Sequence, residues 1–198
     1  MTPYSGLYFF YILFILLIPA IILGLMGKRI KWYGFFVNII MVGLIFSDSK
    51  RQLLYLIAFF IGELILTQLY FLIRKRFSQR WILWIMIVSS LLPLILVKWG
   101  GILIHRSVGF LGVSYLTFKV VQILIETYDG LIENMGILDF TYFLLFFPTI
   151  SSGPIDRSRR FLADADKTFT RDEYFSCLRE GVYKIFKGVL FKFVLGTG

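Results

Sequence analysis

FFPTISSGPIDRSRRF, residues 146–161, is the stretch whose reading decides the fold. The sequence before it is mostly apolar. The sequence after it is first polar and then amphipathic. Pro148 and Pro154 lack a backbone donor and Gly153 frees the backbone, so a regular helix breaks here. In lipid, broken backbone is tolerated only where protein or a water-filled cavity satisfies its polar groups. Asp156, Arg157, Arg159 and Arg160 follow at once. Two readings stand: a buried, hydrated element beside a charged cluster, or a surface loop whose arginines face lipid headgroups.

Outward from this point, the chain is 58% hydrophobic over 198 residues, with a mean hydropathy of +0.80. Soluble domains are typically about 45–50% apolar. The excess lies in long runs, which predicts an all-α, polytopic transmembrane bundle forming one membrane domain. Lys and Arg outnumber Asp and Glu by 21 to 12, a net charge of +9. These cations gather at the ends of apolar runs, where they anchor helices to anionic lipids and set orientation. That pattern fits membrane lipids as partners and argues against nucleic acid. The one cysteine, Cys177, permits no internal disulfide and reads as a small packed side chain. Residues 1–6 hold no Lys or Arg, so the first apolar run reads as a retained helix and not a cleaved leader.

Residues 7–27 predict the first span, with a kink at Pro19. Twenty-one residues at 1.5 Å each reach about 31 Å, enough for a hydrocarbon core of about 30 Å. Residues 32–46 are a shorter run. Residues 53–73 are a full span with Glu63 at its middle, and 81–97 are another, containing Pro93. A connection is expected over 98–108. Residues 109–125 follow, carrying Lys119, with Glu126 two turns on along a similar face. These two could flank a polar path, or Lys119 could reach toward an interface. Residues 140–150 are too short to span unaided and read as re-entrant or half-crossing. The basic stretches 28–31 and 74–80 mark the inside, placing the N-terminus outside. Residues 162–181 read as a polar connection and helix start. Thr170 and Glu173 form a capping-box pattern, with Phe169 and Tyr174 as its hydrophobic staple, so a helix is predicted from about Arg171. Tyr174, Leu178, Val182, Ile185, Phe186, Val189 and Phe193 make its apolar stripe.

The usual catalytic signatures are missing: no GxSxG elbow, P-loop, HExxH or Cys-His metal set occurs. Ser151 and Ser152 have no identifiable base and read as helix-break residues. His105, the only histidine, lies in an expected outer connection and reads as a loop residue. The arginines are better candidates, because guanidinium forks bind phosphate or carboxylate. Asp156 could instead neutralise one of them as a brace.

FLGVSYLTFKVVQILIETYDG at 110–130, followed by FLLFFPTISSGPIDRSRRF at 143–161, resembles the membrane-bound O-acyltransferase family. The likeness covers this whole chain but about the N-terminal half of a typical member. Within the family it is closest to the branch that adds D-alanine to teichoic acids. The resemblance implies a helical ring around a central funnel. It implies a D-alanyl carrier protein whose phosphopantetheine arm is the acyl donor, a membrane partner in the lipoteichoic acid pathway, and no bound cofactor or metal. The family's catalytic histidine has no match here, so no catalytic residue is assigned and the chain alone is expected to be inactive. Ser152, Gly153, Pro154, Asp156, Arg157, Lys119 and Glu63 become candidates for lining the substrate path. The competing reading is a transporter or lipid-binding membrane protein whose polar residues do no covalent chemistry.

Overall fold

The computed structural model describes residues 7–104, 109–151 and 156–191. Among these the regular structure is helical: α1 Leu7–Leu25, α2 Lys31–Ile45, α3 Lys50–Arg74, α4 Arg80–Ile104, α5 Val113–Tyr128, α6 Ile137–Leu144, α7 Ser158–Asp166 and α8 Arg171–Leu190, with a 3-10 turn at Phe147–Thr149. Tyr8–Leu25, Lys50–Arg74 and Arg80–Trp99 are long and apolar enough to cross a membrane. The all-α membrane bundle predicted from composition is therefore the fold found. α1 and α4 contain Pro19 and Pro93 inside their helices. α4 also continues to Ile104, through most of the expected 98–108 connection.

The core forms where α3, α4 and α5 meet. Leu116, Val120, Ile123 and Leu124 of α5 are fully buried, with Leu56, Phe59 and Phe71 of α3 and Leu83 and Met86 of α4 packed in the same cluster. The outer faces remain apolar and exposed, among them Leu54, Ile61, Ile65, Trp84 and Leu96. In water such surface is a liability, whereas against lipid it is ordinary.

Specific contacts sort the helix ends. The Arg74 guanidinium donates to the Tyr128 carbonyl at 2.8 Å, so α3 and α5 finish at the same end. The Gln68 amide donates to the Met135 carbonyl at 3.0 Å. Lys31, opening α2, meets Asp139 of α6 at 2.9 Å and Asp166 of α7 at 2.8 Å. The starts of α2 and α6 and the end of α7 are thus together. This end also carries the basic stretches 28–31 and 74–80, and we refer to it as the basic end.

Burial works against the Lys31 charge. Hydrogen bonds and charge from Asp166 and Asp139 outweigh it and raise the ammonium's pKa above the usual lysine value. Asp166 is half exposed, so screening limits the gain. Lys31→Met is expected to cost about 1 kcal/mol. A raised pKa means the stabilisation is complete below the ordinary lysine value of about 10.4 and fades as pH climbs through the folded value. Thermal melts at about pH 7 and about pH 11 check this. The deficit should shrink at the higher pH, and an equal deficit at both would reduce Lys31 to a packing role.

α6 and the turn after it leave the basic end and come back. The tip is Ile150, which lies against Gly112 at the opposite end of α5. Ser158, only eight residues later, is back at the basic end, its hydroxyl donating to Glu126 of α5 at 3.2 Å. Gly112 and Glu126 are about 21 Å apart along the helix. Eight extended residues cover roughly 26–29 Å, so the return fits. Of the two sequence expectations for 140–150, re-entrant and half-crossing, the geometry is re-entrant.

α7 falls where a polar connection was expected. Its sequence, SRRFLADAD, is polar on average but amphipathic, with Phe161, Leu162 and Ala165 on the part-buried face, and its anchor is tertiary. The Phe161 ring packs against Phe146, Tyr142 and Phe143 at 4.9, 5.1 and 5.6 Å between centroids. α8 begins as predicted: Thr170 and Glu173 exchange both capping-box bonds, and the Phe169 and Tyr174 rings lie 6.4 Å apart. Tyr174 sits on Gly24 of α1, where any larger residue would overlap its ring. Of the predicted stripe, Tyr174 and Leu178 are half buried, while Val182, Ile185 and Phe186 are exposed. The side chains of Val189 and Phe193 lie outside the described set. Cys177 is exposed, against the expectation of a packed side chain, because in this part of α8 only Tyr174 and Leu178 are part-buried.

Candidate functional site

The re-entrant element is held from three sides. α5 contributes two ionisable side chains, both buried. Lys119 Nζ donates to the Phe143 carbonyl at 3.1 Å, the Leu144 carbonyl at 3.4 Å and Thr149 Oγ1 at 2.8 Å. The ammonium also stands 5.2 Å from the Phe143 ring centre. Those two carbonyls end α6, where the helix has run out of its own donors, so Lys119 serves as a C-terminal cap in trans. Seven residues on, Glu126 accepts from Ser158 and lies 4.0 Å from the Arg159 guanidinium. Lys119 and Glu126 therefore do share a face, and that face grips the outgoing and returning limbs of one element. The third hold comes from α2, where Asn38 Oδ1 accepts from the Phe147 amide at 2.7 Å. This satisfies a backbone donor that the break at Pro148 would otherwise leave buried and unpaired.

Between the limbs lies a small, partly enclosed cavity of about 120 Å³, lined by Lys119, Phe143, Phe146, Thr149, Asp156 and Phe161. It is mostly aromatic, with an ammonium, a hydroxyl and a carboxylate on its wall. Beyond Asp156 opens a wider cleft of about 550 Å³, lined by Asp156, Arg157, Arg159 and Arg160. Asp156 accepts from the Arg157 amide at 2.8 Å. Among the described residues no ion pair joins Asp156 to an arginine, so the brace expected as one alternative is not formed. Arg160 is 3.9 Å from Asp164, both exposed.

Thus the structure brings together Lys119, Asp156 and Arg157 from the sequence candidates. Ser152, Gly153 and Pro154 lie outside the described residues, as does His105. Glu63 is elsewhere. It is buried in α3 with Ser90 of α4 against its carboxyl, though Glu63 Oε2 and Ser90 Oγ have no hydrogen-bond partner of good geometry. Thr67, one turn along, also has an unpartnered hydroxyl. This polar seam is separate from the cavity lining. Sequence reading missed Asn38, Gly112 and Ser158. Asn38 did carry a signal, as a lone amide within WYGFFVNIIMVGLIF. Among the described residues no group of His, Cys, Asp and Glu has the spacing to hold a metal.

Lys119 and Glu126 both lie in the 110–130 stretch that carries the resemblance, and they hold the second such stretch, 143–161, at Phe143, Leu144, Thr149 and Ser158. Comparison of the whole sequence bears that resemblance out. Over 99% of its length the chain is 44% identical to the teichoic acid D-alanyltransferase of Bacillus subtilis (strain 168). It is homologous to teichoic acid D-alanyltransferases. The Lacticaseibacillus rhamnosus enzyme of that name is 35% identical over 99% of the chain, and the Streptococcus thermophilus (strain ATCC BAA-250 / LMG 18311) enzyme 34% over 98%. The chain spans about half the length of these curated relatives: 52%, 50% and 48% respectively. No family model matches it.

Proposed function

We propose that this chain is part of a membrane acyltransferase that passes D-alanine from a carrier-protein thioester toward lipoteichoic acid. The observation that carries the proposal is the 44% identity to a teichoic acid D-alanyltransferase over 99% of the chain. In the reaction an acceptor hydroxyl oxygen attacks the thioester carbonyl carbon. The C–O bond forms, the C–S bond breaks, the phosphopantetheine thiol leaves, and a base takes the hydroxyl proton. A positioned base contributes typically 10²–10⁴-fold to such a step. We assign no base within these 198 residues. Their part is architectural: a broken backbone, a cavity and a basic cleft built into a helical membrane protein. Charge bias supports an orientation with the basic end, and with it the arginine cleft, on the cytoplasmic side and the N-terminus outside. That is the side from which a carrier protein would present its thioester, and the funnel of the family would lead outward from it.

A chimera tests this. In cells lacking their own enzyme, the matching half of the Bacillus subtilis (strain 168) relative is replaced by this chain, and alkali-labile D-alanine on lipoteichoic acid is measured. The chimera is expected to restore the ester, and the 198 residues alone are not. A chimera that reaches the membrane at normal level but restores nothing would count against the assignment, as would turnover by the 198 residues alone.

A further inference from the structure

The cleft at the start of α7 holds more positive charge than the fold needs. Arg157, Arg159 and Arg160 and a single carboxylate, Asp156, line about 550 Å³ of open space. The carboxylate is engaged by the Arg157 amide, and no arginine pairs with it among the described residues. Arg159 and Arg160 reach their carboxylate neighbours only at 4.0 and 3.9 Å, beyond the usual charge-assisted distance of about 2.7–2.9 Å. Three planar, permanently charged donors therefore face one cleft with weak or no internal partners. Their fork geometry suits tetrahedral oxyanions, for which Arg is preferred over Lys.

Position supports a ligand here. The backbone is fixed on both flanks, by Ser158 on Glu126 and by Phe161 among three rings. The guanidiniums are thus presented from a rigid base. A surface anchor needs no such base, because flexible lysines on any loop serve a headgroup equally well. The cleft lies at the basic end, where phosphate is available both from lipid headgroups and from soluble phosphate esters.

We propose that Arg157, Arg159 and Arg160 form a phosphate-binding site at the basic end of the molecule. The site does not depend on the acyltransferase reading, since its chemistry is recognition of a phosphate group whatever lies beyond it.

Purified chain in nanodiscs of phosphatidylcholine is titrated with phosphopantetheine as the soluble probe. In a second arm, the chain in mixed phosphatidylcholine and phosphatidylglycerol nanodiscs is examined by native mass spectrometry for retained lipid. Arg157→Gln, and Arg157→Gln with Arg159→Gln and Arg160→Gln, are compared with Arg51→Gln at the other end. Arg157 has no assigned partner, so its single variant is expected to fold normally, as circular dichroism would check. Expected is at least about a tenfold loss of binding in the triple variant, a smaller loss in Arg157→Gln, and none in Arg51→Gln. Loss confined to the first arm identifies a soluble phosphate ester, and loss confined to the second a lipid headgroup. Binding unchanged by the triple variant in both arms, or reduced as much by Arg51→Gln, would overturn the site.

Discussion

Lys119→Met is expected to destabilise the protein by about 3 kcal/mol, because hydrogen bonds to a buried charge are worth roughly 1.5–3 kcal/mol. Methionine keeps the length and apolar stem of lysine, so packing survives and only the ammonium is lost. Three acceptors then lose their donor: the carbonyls of Phe143 and Leu144 and the hydroxyl of Thr149. Only water in the adjoining cavity could replace it, since Lys119 and Leu144 are almost wholly buried. The 143–149 segment should then loosen before the α3–α5 core does. Thermal melting in detergent should fall by roughly 6–12 °C, and hydrogen exchange should rise first at residues 143–150. Lys98→Met, at an exposed lysine of α4, is the control and should change little. A melting point unmoved by Lys119→Met would mean the lysine merely fills space.

Gly112→Ala should be at least as damaging, and for a different reason. Gly112 precedes α5 with φ +89°, a left-handed conformation that costs an L-residue about 1–2 kcal/mol. A methyl there would also overlap the Ile150 carbonyl oxygen. That obstacle is backbone at the tip of the re-entrant element, and Ile150 is itself fully buried, so no flexible side chain can swing aside. The tip or the helix must move, and the combined cost is expected to exceed about 3 kcal/mol. Gly130→Ala separates the two contributions. Gly130 has φ +73° but open space where a Cβ would stand, so it should show the backbone cost alone. Expression and melting of the two variants side by side give the comparison. Equal effects would show that the contact with Ile150 yields easily.

The long apolar helices were legible because length and hydropathy fix them with little help from tertiary contacts. The start of α8 was legible because a capping box is a local device: Thr170 and Glu173 satisfy each other's backbone within one turn. The helix break was also local where the described residues show it, at Pro148 in the turn after α6. Which way the chain went after the break was not local. The return to the basic end depends on Ser158 meeting Glu126 and on Ile150 meeting Gly112, contacts 32 and 38 positions apart in sequence. α7 escaped notice because its sequence is polar on average, which hid the apolar face of Phe161, Leu162 and Ala165, and because its holds on Glu126 and Lys31 are distant in sequence. The site was half visible. Lys119 and Glu126 drew attention as charges in apolar sequence, but whether they faced a passage or held a piece of backbone required the partners to be seen.

Holding Ile150 at Gly112 has a consequence for distance. The α5 helix runs about 24 Å from Gly112 to Tyr128, alongside an α3 about 37 Å long, and the two finish together at Arg74 and Tyr128. The element therefore stops roughly 13 Å short of the far end of α3. It acts as a plug of unequal depth, thick toward the basic end and thin toward the other. Anything handled near Ile150 would already have completed most of the crossing, and what remains is about four residues of extended chain.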